Sequence, residues 1–263
     1  GFTIAQRDVI EESTNSGTTI YDITDTAYNI ARAGEAKLAT ANRVQVIRIT
    51  EIPIPGVIKR ATGVVDANVI AAYAKPVTYD LLGSAEEIVS ANAEALNEAL
   101  EIYALTPATV AQRDVIEAAT NNGANTYDIT DTAANLAAAG NSKLATAEKV
   151  TASNEVTAAE ATVIASYEKA VIYSITDTGS NLVAIAGAGL NEAVNITATG
   201  TITLEQANII EAATNSGNNT YTVDPIRGKD INDTAANLVN YSAEDLNAAG
   251  TVTATTAATA EQA

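Results

Sequence analysis

The sequence predicts an α/β protein, and within that class a right-handed repeat solenoid of short parallel strands and short helices. Three observations indicate this fold. One motif recurs along the 263 residues, helix-like segments alternate with strand-like segments, and the core must be narrow because aromatics are only 4% of the chain while hydrophobic residues are 47%. A leucine-rich-repeat-like horseshoe is the alternative fold, because the sequence leaves open whether one turn holds one strand or two.

The first repeat type, which we call A, occurs three times. It begins at Ile4–Glu11, returns almost unchanged at Val110–Glu117 and returns more loosely at Leu204–Glu211. Each copy is followed by Thr-Asn, then Ser or Asn, then Gly, and each then reaches a tyrosine: Tyr21, Tyr127 or Tyr221. Three copies of so long a pattern show that A is an internal repeat.

The second repeat type, B, lies between the A copies. Val69–Lys75 matches Val163–Lys169, and each copy is followed by a tyrosine, Tyr79 or Tyr173. The order A-B-A-B-A, with about 48 residues a unit, predicts one elongated repeat domain over residues 1–263. Its predicted units are 3–56 (A1), 57–107 (B1), 108–153 (A2), 154–200 (B2) and 201–263 (A3).

The second A unit shows how the elements follow one another. Apolar residues on one side predict a helix over Ala111–Thr120, and Gly123 stops it. Alternation predicts a half-buried strand over Thr126–Thr130. Asp131 or Thr132 then caps a second helix, because an Asp or Thr oxygen can accept a free backbone N–H.

That second helix ends at Gly140, and a second alternating strand, Val150–Ser153, completes the unit. Corresponding strands are predicted at Val194–Thr199 and Thr251–Thr255. Each unit is therefore helix, strand, helix, strand. Strands that alternate with helices favour parallel pairing through right-handed crossovers, and alternating rather than wholly apolar strands favour a sheet with one open face.

Composition excludes several functions. The chain has no His and no Cys, so neither a Ser-His-Asp triad, a Cys nucleophile nor an ordinary zinc site can be built. Its formal net charge of −18 argues against nucleic acid as a partner. No apolar run reaches the roughly 18 residues of a membrane span. We therefore expect a protein that is not an enzyme.

A recurring block follows the strand, and it carries a family resemblance. Its copies are Asp25–Ile30, Asp131–Leu136, Asp177–Leu182 and Asp233–Leu238. This Asp-Thr-Ala-Ala-Asn-Leu-type block resembles repeats of large secreted bacterial surface proteins that are adhesin-like, surface-layer-like or type I-secreted. The resemblance implies an extracellular, cell-surface location and a structural role.

Three sets of side chains are candidates for binding. Asp224, Asp230 and Asp233 are the candidate calcium ligands, because carboxylate oxygens suit a hard cation; otherwise the block's aspartates are helix caps. The tyrosine series is interpreted as core residues with the hydroxyl at the rim, with sugar recognition as the alternative. Thr197, Thr199 and Thr201 are either ordinary strand residues or a ladder that binds polysaccharide or another ordered surface.

The two ends of the sequence share a motif. Thr253–Ala263 aligns with Thr197–Ala207 and stops inside the motif with which the chain begins. Without the polar caps that solenoids normally need, either the chain is an excerpt of a longer array or identical chains stack head to tail. The candidate assembly residues are Thr3, Ile4, Gln6, Thr253, Thr255, Glu261 and Gln262.

The leading hypothesis is therefore an extracellular structural protein. It is a subunit or repeat segment of a surface filament, surface layer or adhesin stalk, and its partners are copies of itself. The alternative hypothesis is a polysaccharide- or surface-binding module that uses an open sheet face bearing Thr and Tyr. No resident cofactor is expected apart from the candidate calcium.

Overall fold

A computed structural model describes residues 1–14, 16–47, 61–224 and 229–259. The predicted α/β class is confirmed, since short helices alternate with short strands that form several parallel sheets. In these residues the helices are α1 Ile4–Glu11, α2 Ala27–Ala33, α3 Glu35–Leu38, α4 Val64–Ile70, α5 Ala85–Val89, α6 Ala93–Glu98, α7 Val110–Glu117, α8 Ala133–Ala139, α9 Asn141–Leu144, α10 Ala158–Ile164, α11 Gly179–Ala184, α12 Ala188–Asn191, α13 Leu204–Glu211, α14 Ala235–Leu238 and α15 Ala243–Ala248.

The strands lie between these helices and are two to seven residues long. They are β1 Asp22–Asp25, β2 Arg43–Val46, β3 Ala61–Thr62, β4 Val77–Thr78, β5 Asp80–Gly83, β6 Ile102–Ala104, β7 Asn125–Thr126, β8 Ile129–Asp131, β9 Val150–Ala152, β10 Val171–Ile172, β11 Ile175–Thr178, β12 Ile196–Ile202, β13 Asn219–Val223, β14 Asp230–Asp233 and β15 Thr251–Ala254.

The chain divides into two compact units. Unit 1 comprises Gly1–Thr130 with Thr146–Lys149, and unit 2 comprises Asp131–Ala145 with Val150–Ala263. Unit 1 contains the parallel sheets β1-β2-β4 and β3-β5-β6-β7. Unit 2 contains the parallel pairs β9-β10 and β14-β15 and the parallel sheet β11-β12-β13.

Strand pairing follows one recurring spacing along the chain. Most strands pair in parallel with a residue 21 positions further on, as the following pairs show. They are Ile23 with Val44, Leu81 with Ile102, Val150 with Val171, Ile175 with Ile196 and Ile231 with Val252. One strand position and one helix therefore recur about every 21 residues, and we call each such repeat a coil. Each unit of the sequence repeat holds two coils.

The helices begin where the sequence supplies a cap. Thr3, Thr109 and Thr203 each accept the N–H of a glutamine three residues on, and that glutamine's side chain accepts the threonine's own N–H. This reciprocal arrangement is a capping box, which satisfies two backbone donors at once. In the Asp-Thr-Ala-Ala-Asn-Leu block the cap is the threonine, as at Thr132, and not the aspartate.

Gly140 ends α8 as predicted. Its φ of 78° and ψ of 160° lie in a region that is almost restricted to glycine, and Gly34 has nearly the same backbone angles. Both glycines separate two helices, and the short helix that follows turns a leucine into the core: Leu38 after Gly34, and Leu144 after Gly140.

Two predicted elements have different bounds. The helix predicted over Ala111–Thr120 is α7, which ends at Glu117 because Ala118 already closes it. The single strand predicted over Thr126–Thr130 is wrong: β7 and β8 are separate, and Tyr127 lies between them. A large side chain that turns into the core interrupts the alternation there.

The core of both units consists of aliphatic side chains with a few tyrosines, as the composition indicates. Strand residues such as Ile23 and Ile175 and helix residues such as Ile88 and Leu182 are fully buried. Alanines fill the helix positions nearest the strands. Small side chains let the helices pack close to the sheets, although each one buries little apolar area.

Candidate functional site

Five helices have their N-terminus closed by a side chain of the following coil. In each, the N–H of the first helical residue donates to a side-chain oxygen 19 or 21 residues further on. The pairs are Ile4 with Asp25 (2.8 Å), Ala85 with Thr106 (3.0 Å), Ala133 with Asn154 (2.8 Å), Ala158 with Asp177 (2.9 Å) and Ala235 with Thr256 (3.0 Å). The first N–H groups of a helix lack a partner within it. This contact, the inter-coil cap, therefore fixes the register between neighbouring coils.

Asp177 shows how much one carboxylate does in such a cap. Besides the N–H of Ala158, it accepts the N–H of Thr178 at 2.7 Å and the side-chain amide of Asn181 at 2.8 Å. The hydrogen bond from Ala158, helped by those from Asn181 and Thr178, lowers the pKa of Asp177 below its ordinary value. Asp25 makes the same three contacts, with Ile4, Thr26 and Asn29.

A second set of contacts joins the other ends of the helices, and we call it the amide ladder. The side-chain oxygens of Asn68, Asn97 and Asn191 accept backbone N–H groups of the next coil. The donors are Asn92 (2.9 Å), Thr120 (2.9 Å) and Thr214 (3.0 Å). Sequence analysis missed these asparagines, although their spacing of 23 or 24 residues from the acceptor to the donor is close to the coil length.

The tyrosines at the start of the strand segments are core residues. Tyr21, Tyr79, Tyr127 and Tyr173 are at most 4% exposed. The core interpretation is therefore confirmed for these four, and the alternative of sugar recognition by them is wrong, because a buried ring cannot contact a ligand.

The hydroxyl groups of these tyrosines reach different partners in the two repeat types. In A units the hydroxyl meets the glutamate that ends the preceding helix: Tyr127 donates to Glu117 at 2.9 Å and Tyr221 to Glu211 at 2.8 Å. In B units it donates to a backbone carbonyl, that of Ala95 for Tyr79 and that of Gly189 for Tyr173. Burial raises the pKa of Tyr173 to about 12.

The candidate calcium ligands do not come together as a cluster. Across residues 1–14, 16–47, 61–224 and 229–259, no three acidic side chains lie close enough to hold a metal ion. The carboxylate of Asp233 accepts the N–H of Thr234 and the side-chain amide of Asn237, both at 2.7 Å. Asp230 is exposed on β14, and Asp224 is half-buried. Asp233 thus acts as a helix-start residue, and the structure supplies no geometry for a calcium site.

The candidate assembly residues divide into three groups. Thr3 and Gln6 form the capping box of α1, and the N–H of Ile4 is bound by Asp25, so these groups already have partners inside unit 1. Thr253 and Thr255 are exposed at the last described strand of unit 2. Glu261 and Gln262 lie outside the described residues.

The threonines of unit 2 form rows across the sheet β11-β12-β13. Thr176, Thr197 and Thr220 are in register on three neighbouring strands, and Thr201 is in register with Thr222. Neighbouring strands are roughly 4.8 Å apart, so their hydroxyl groups repeat at that interval. A bulge between Thr197 and Thr201 interrupts the rows.

Comparison of the chain with protein-family models, with curated proteins and with solved structures gives no match. In the described part of the chain, no helix is long and apolar enough to cross a membrane. The description of what the chain does therefore comes from its own repeat chemistry.

Proposed function

We propose that the chain is an extracellular structural repeat protein, a right-handed solenoid that forms part of a surface filament, surface layer or adhesin stalk. In this solenoid one coil contains one strand position and one helix, and each coil stacks on the last. The 21-residue spacing of strand pairs within both units supports that arrangement.

The observation that carries the proposal is where the repeated polar residues are used. The aspartate, threonine or asparagine of an inter-coil cap and the asparagine of the amide ladder bind backbone groups of a neighbouring coil. The repeated tyrosines bind groups close to them in the chain and are buried. A repeat whose polar side chains hold its own coils together has the chemistry of a scaffold, and the net charge of −18 keeps such a scaffold soluble.

Electron microscopy of the purified chain at increasing concentration tests this function. We expect elongated assemblies whose width equals that of a single chain, because coils that stack along one direction extend that direction. Compact, monodisperse 27.0 kDa particles at every concentration would contradict the scaffold function. Antibody labelling of intact source cells tests the cell-surface location, and labelling only after lysis would refute it.

The threonine rows favour a second candidate function, binding of an insoluble polysaccharide by unit 2. Thr199, Thr201, Thr220 and Thr222 are exposed, and their hydroxyl groups can donate to and accept from sugar hydroxyls. The test is co-sedimentation with cellulose and with chitin. Thr220→Lys should abolish binding, whereas Ala159→Lys, which adds the same charge on exposed helix α10, should not. Absence of wild-type binding to either polymer would refute this candidate.

A further inference from the structure

Two surfaces of the chain lack the neighbouring coil that covers the same residues elsewhere. The first is in unit 1, where Phe2 is 42% exposed; Ala108, Val156 and Ile202 occupy the same repeat position and are at most 1% exposed. Val9 of α1 is 70% exposed, and its equivalent Val115 is 42% exposed. We call Phe2, Val9 and the rest of α1 the first-coil face.

The second surface is in unit 2, on strand β15. All four residues of β15 are exposed, and the structure describes a paired strand, β14, on one side of it only. Val252 is 43% exposed, whereas the equivalent Ile196 in β12 is 0% exposed because β12 has a neighbour on both sides. We call β15, with Val252 at its centre, the last-coil face.

The repeats themselves show what fits each face. Within the units, the residues equivalent to both faces are covered by another coil of this same chain, packed through a parallel strand pair. In every such contact the leading side of one coil meets the trailing side of the next. The first-coil face is an uncovered leading side and the last-coil face an uncovered trailing side, so each is complementary to the other and neither is complementary to itself.

Charge selects the same pairing. Residues 1–60 contain seven Lys or Arg and seven Asp or Glu, so the segment is neutral, whereas residues 229–263 contain one basic and five acidic residues. Two last-coil faces brought together would place like charges against each other, which disfavours association. A neutral face against an acidic face has no such repulsion.

From these observations we infer that the first-coil face binds the last-coil face of a second copy of this chain. The contact rests on the proposed scaffold function and makes it specific: it is heterologous, and it adds a parallel strand at β15. Its centre is the pair Phe2 and Val252, and not the capping residues Thr3 and Gln6, which are already used within their own coil. A heterologous contact repeats from copy to copy until a ring closes or a filament grows.

Complementary blocking tests the contact in the full chain by sedimentation velocity. Phe2→Asp blocks the first-coil face and Val252→Asp blocks the last-coil face, while Leu105→Asp, at a 47% exposed residue outside both faces, is the control. We expect assembly by the wild type and the control, monomers for each blocked variant alone, and dimers but nothing larger from their equimolar mixture. Only a head-to-tail contact gives that last result, because each variant keeps the face that the other lacks.

Two results would overturn the inference while leaving the scaffold function in place: blocked variants that assemble like the wild type, or a mixture of blocked variants that stays monomeric beside an assembling wild type. A wild type that is monomeric up to its solubility limit would overturn both. Circular dichroism confirms that each variant is folded. If one is not, Phe2→Ser and Val252→Thr replace the pair, and weakening of assembly by at least tenfold in concentration is then the expected result.

Discussion

Replacing Asp177 with alanine removes one complete inter-coil cap. The Ala158 N–H, which is part-buried, loses its acceptor, and the N–H of Thr178 and the amide of Asn181 lose theirs at more exposed positions. A hydrogen bond to a charged group contributes about 1.5–3 kcal/mol, and water replaces the exposed partners at little cost. We therefore expect the free energy of unfolding to fall by about 2–3 kcal/mol.

Urea unfolding followed by circular dichroism measures this change. Glu168→Ala is the matched control, because it removes the same charge from an exposed side chain of unit 2 and should cost at most about 0.5 kcal/mol. Asp177→Asn should lie between the two, since it keeps one acceptor oxygen. Equal stabilities of Asp177→Ala and Glu168→Ala would refute the role of the inter-coil cap.

The same cap predicts a dependence on pH. The folded pKa of Asp177 is below its ordinary value of 3.8, so its contribution is fully present above that value and is lost as the pH falls through the folded pKa. The stability difference between the wild type and Asp177→Asn should therefore be constant near neutral pH and shrink below about pH 4. A difference that grows in acid would contradict this sign.

Three further predictions concern other parts of the repeat. Asn97→Ala should cost about 1 kcal/mol in urea unfolding because the Thr120 N–H loses its acceptor, and Asn97→Asp, which keeps an acceptor, should recover most of it. Gly140→Ala should cost about 1–3 kcal/mol, because its backbone angles are almost restricted to glycine, and an unchanged midpoint would refute this. Ultraviolet titration of the wild type minus Tyr173→Phe should place ionisation of Tyr173 near pH 12, and a midpoint near pH 10 would contradict its burial.

The fold class and many element positions could be predicted because the chain states its pattern several times. The helix over 133–139 and its stop at Gly140 follow from local rules of capping and glycine conformation. Local rules did not find the break at Tyr127, because the alternation of β7 and β8 is continuous in sequence and only burial of the ring divides it. The spacing of one strand per coil also required the register, which no single strand contains.

The candidate sites were less predictable for a physical reason. Thr3 and Gln6 form a capping box that the sequence already shows, and such a box uses the very groups that assembly would need. Asp177 was identified as a cap or a calcium ligand, but its main partner, the N–H of Ala158, lies 19 residues away. Contacts between coils depend on the coil length, which becomes visible only when strands are paired.

Disulfide cross-linking tests the one-strand-per-coil register most directly, because the chain has no cysteine of its own. Neighbouring parallel strands bring paired residues within the Cα separation of about 4.4–6.8 Å that a disulfide requires, whereas two strand spacings, roughly 9.6 Å, exceed it. Cysteine pairs at Thr176 with Thr197 and at Thr197 with Thr220 should therefore oxidise within the chain, and the pair at Thr176 with Thr220 should not. Efficient bridging of positions 176 and 220, or none between 176 and 197, would contradict the register on which the scaffold proposal depends.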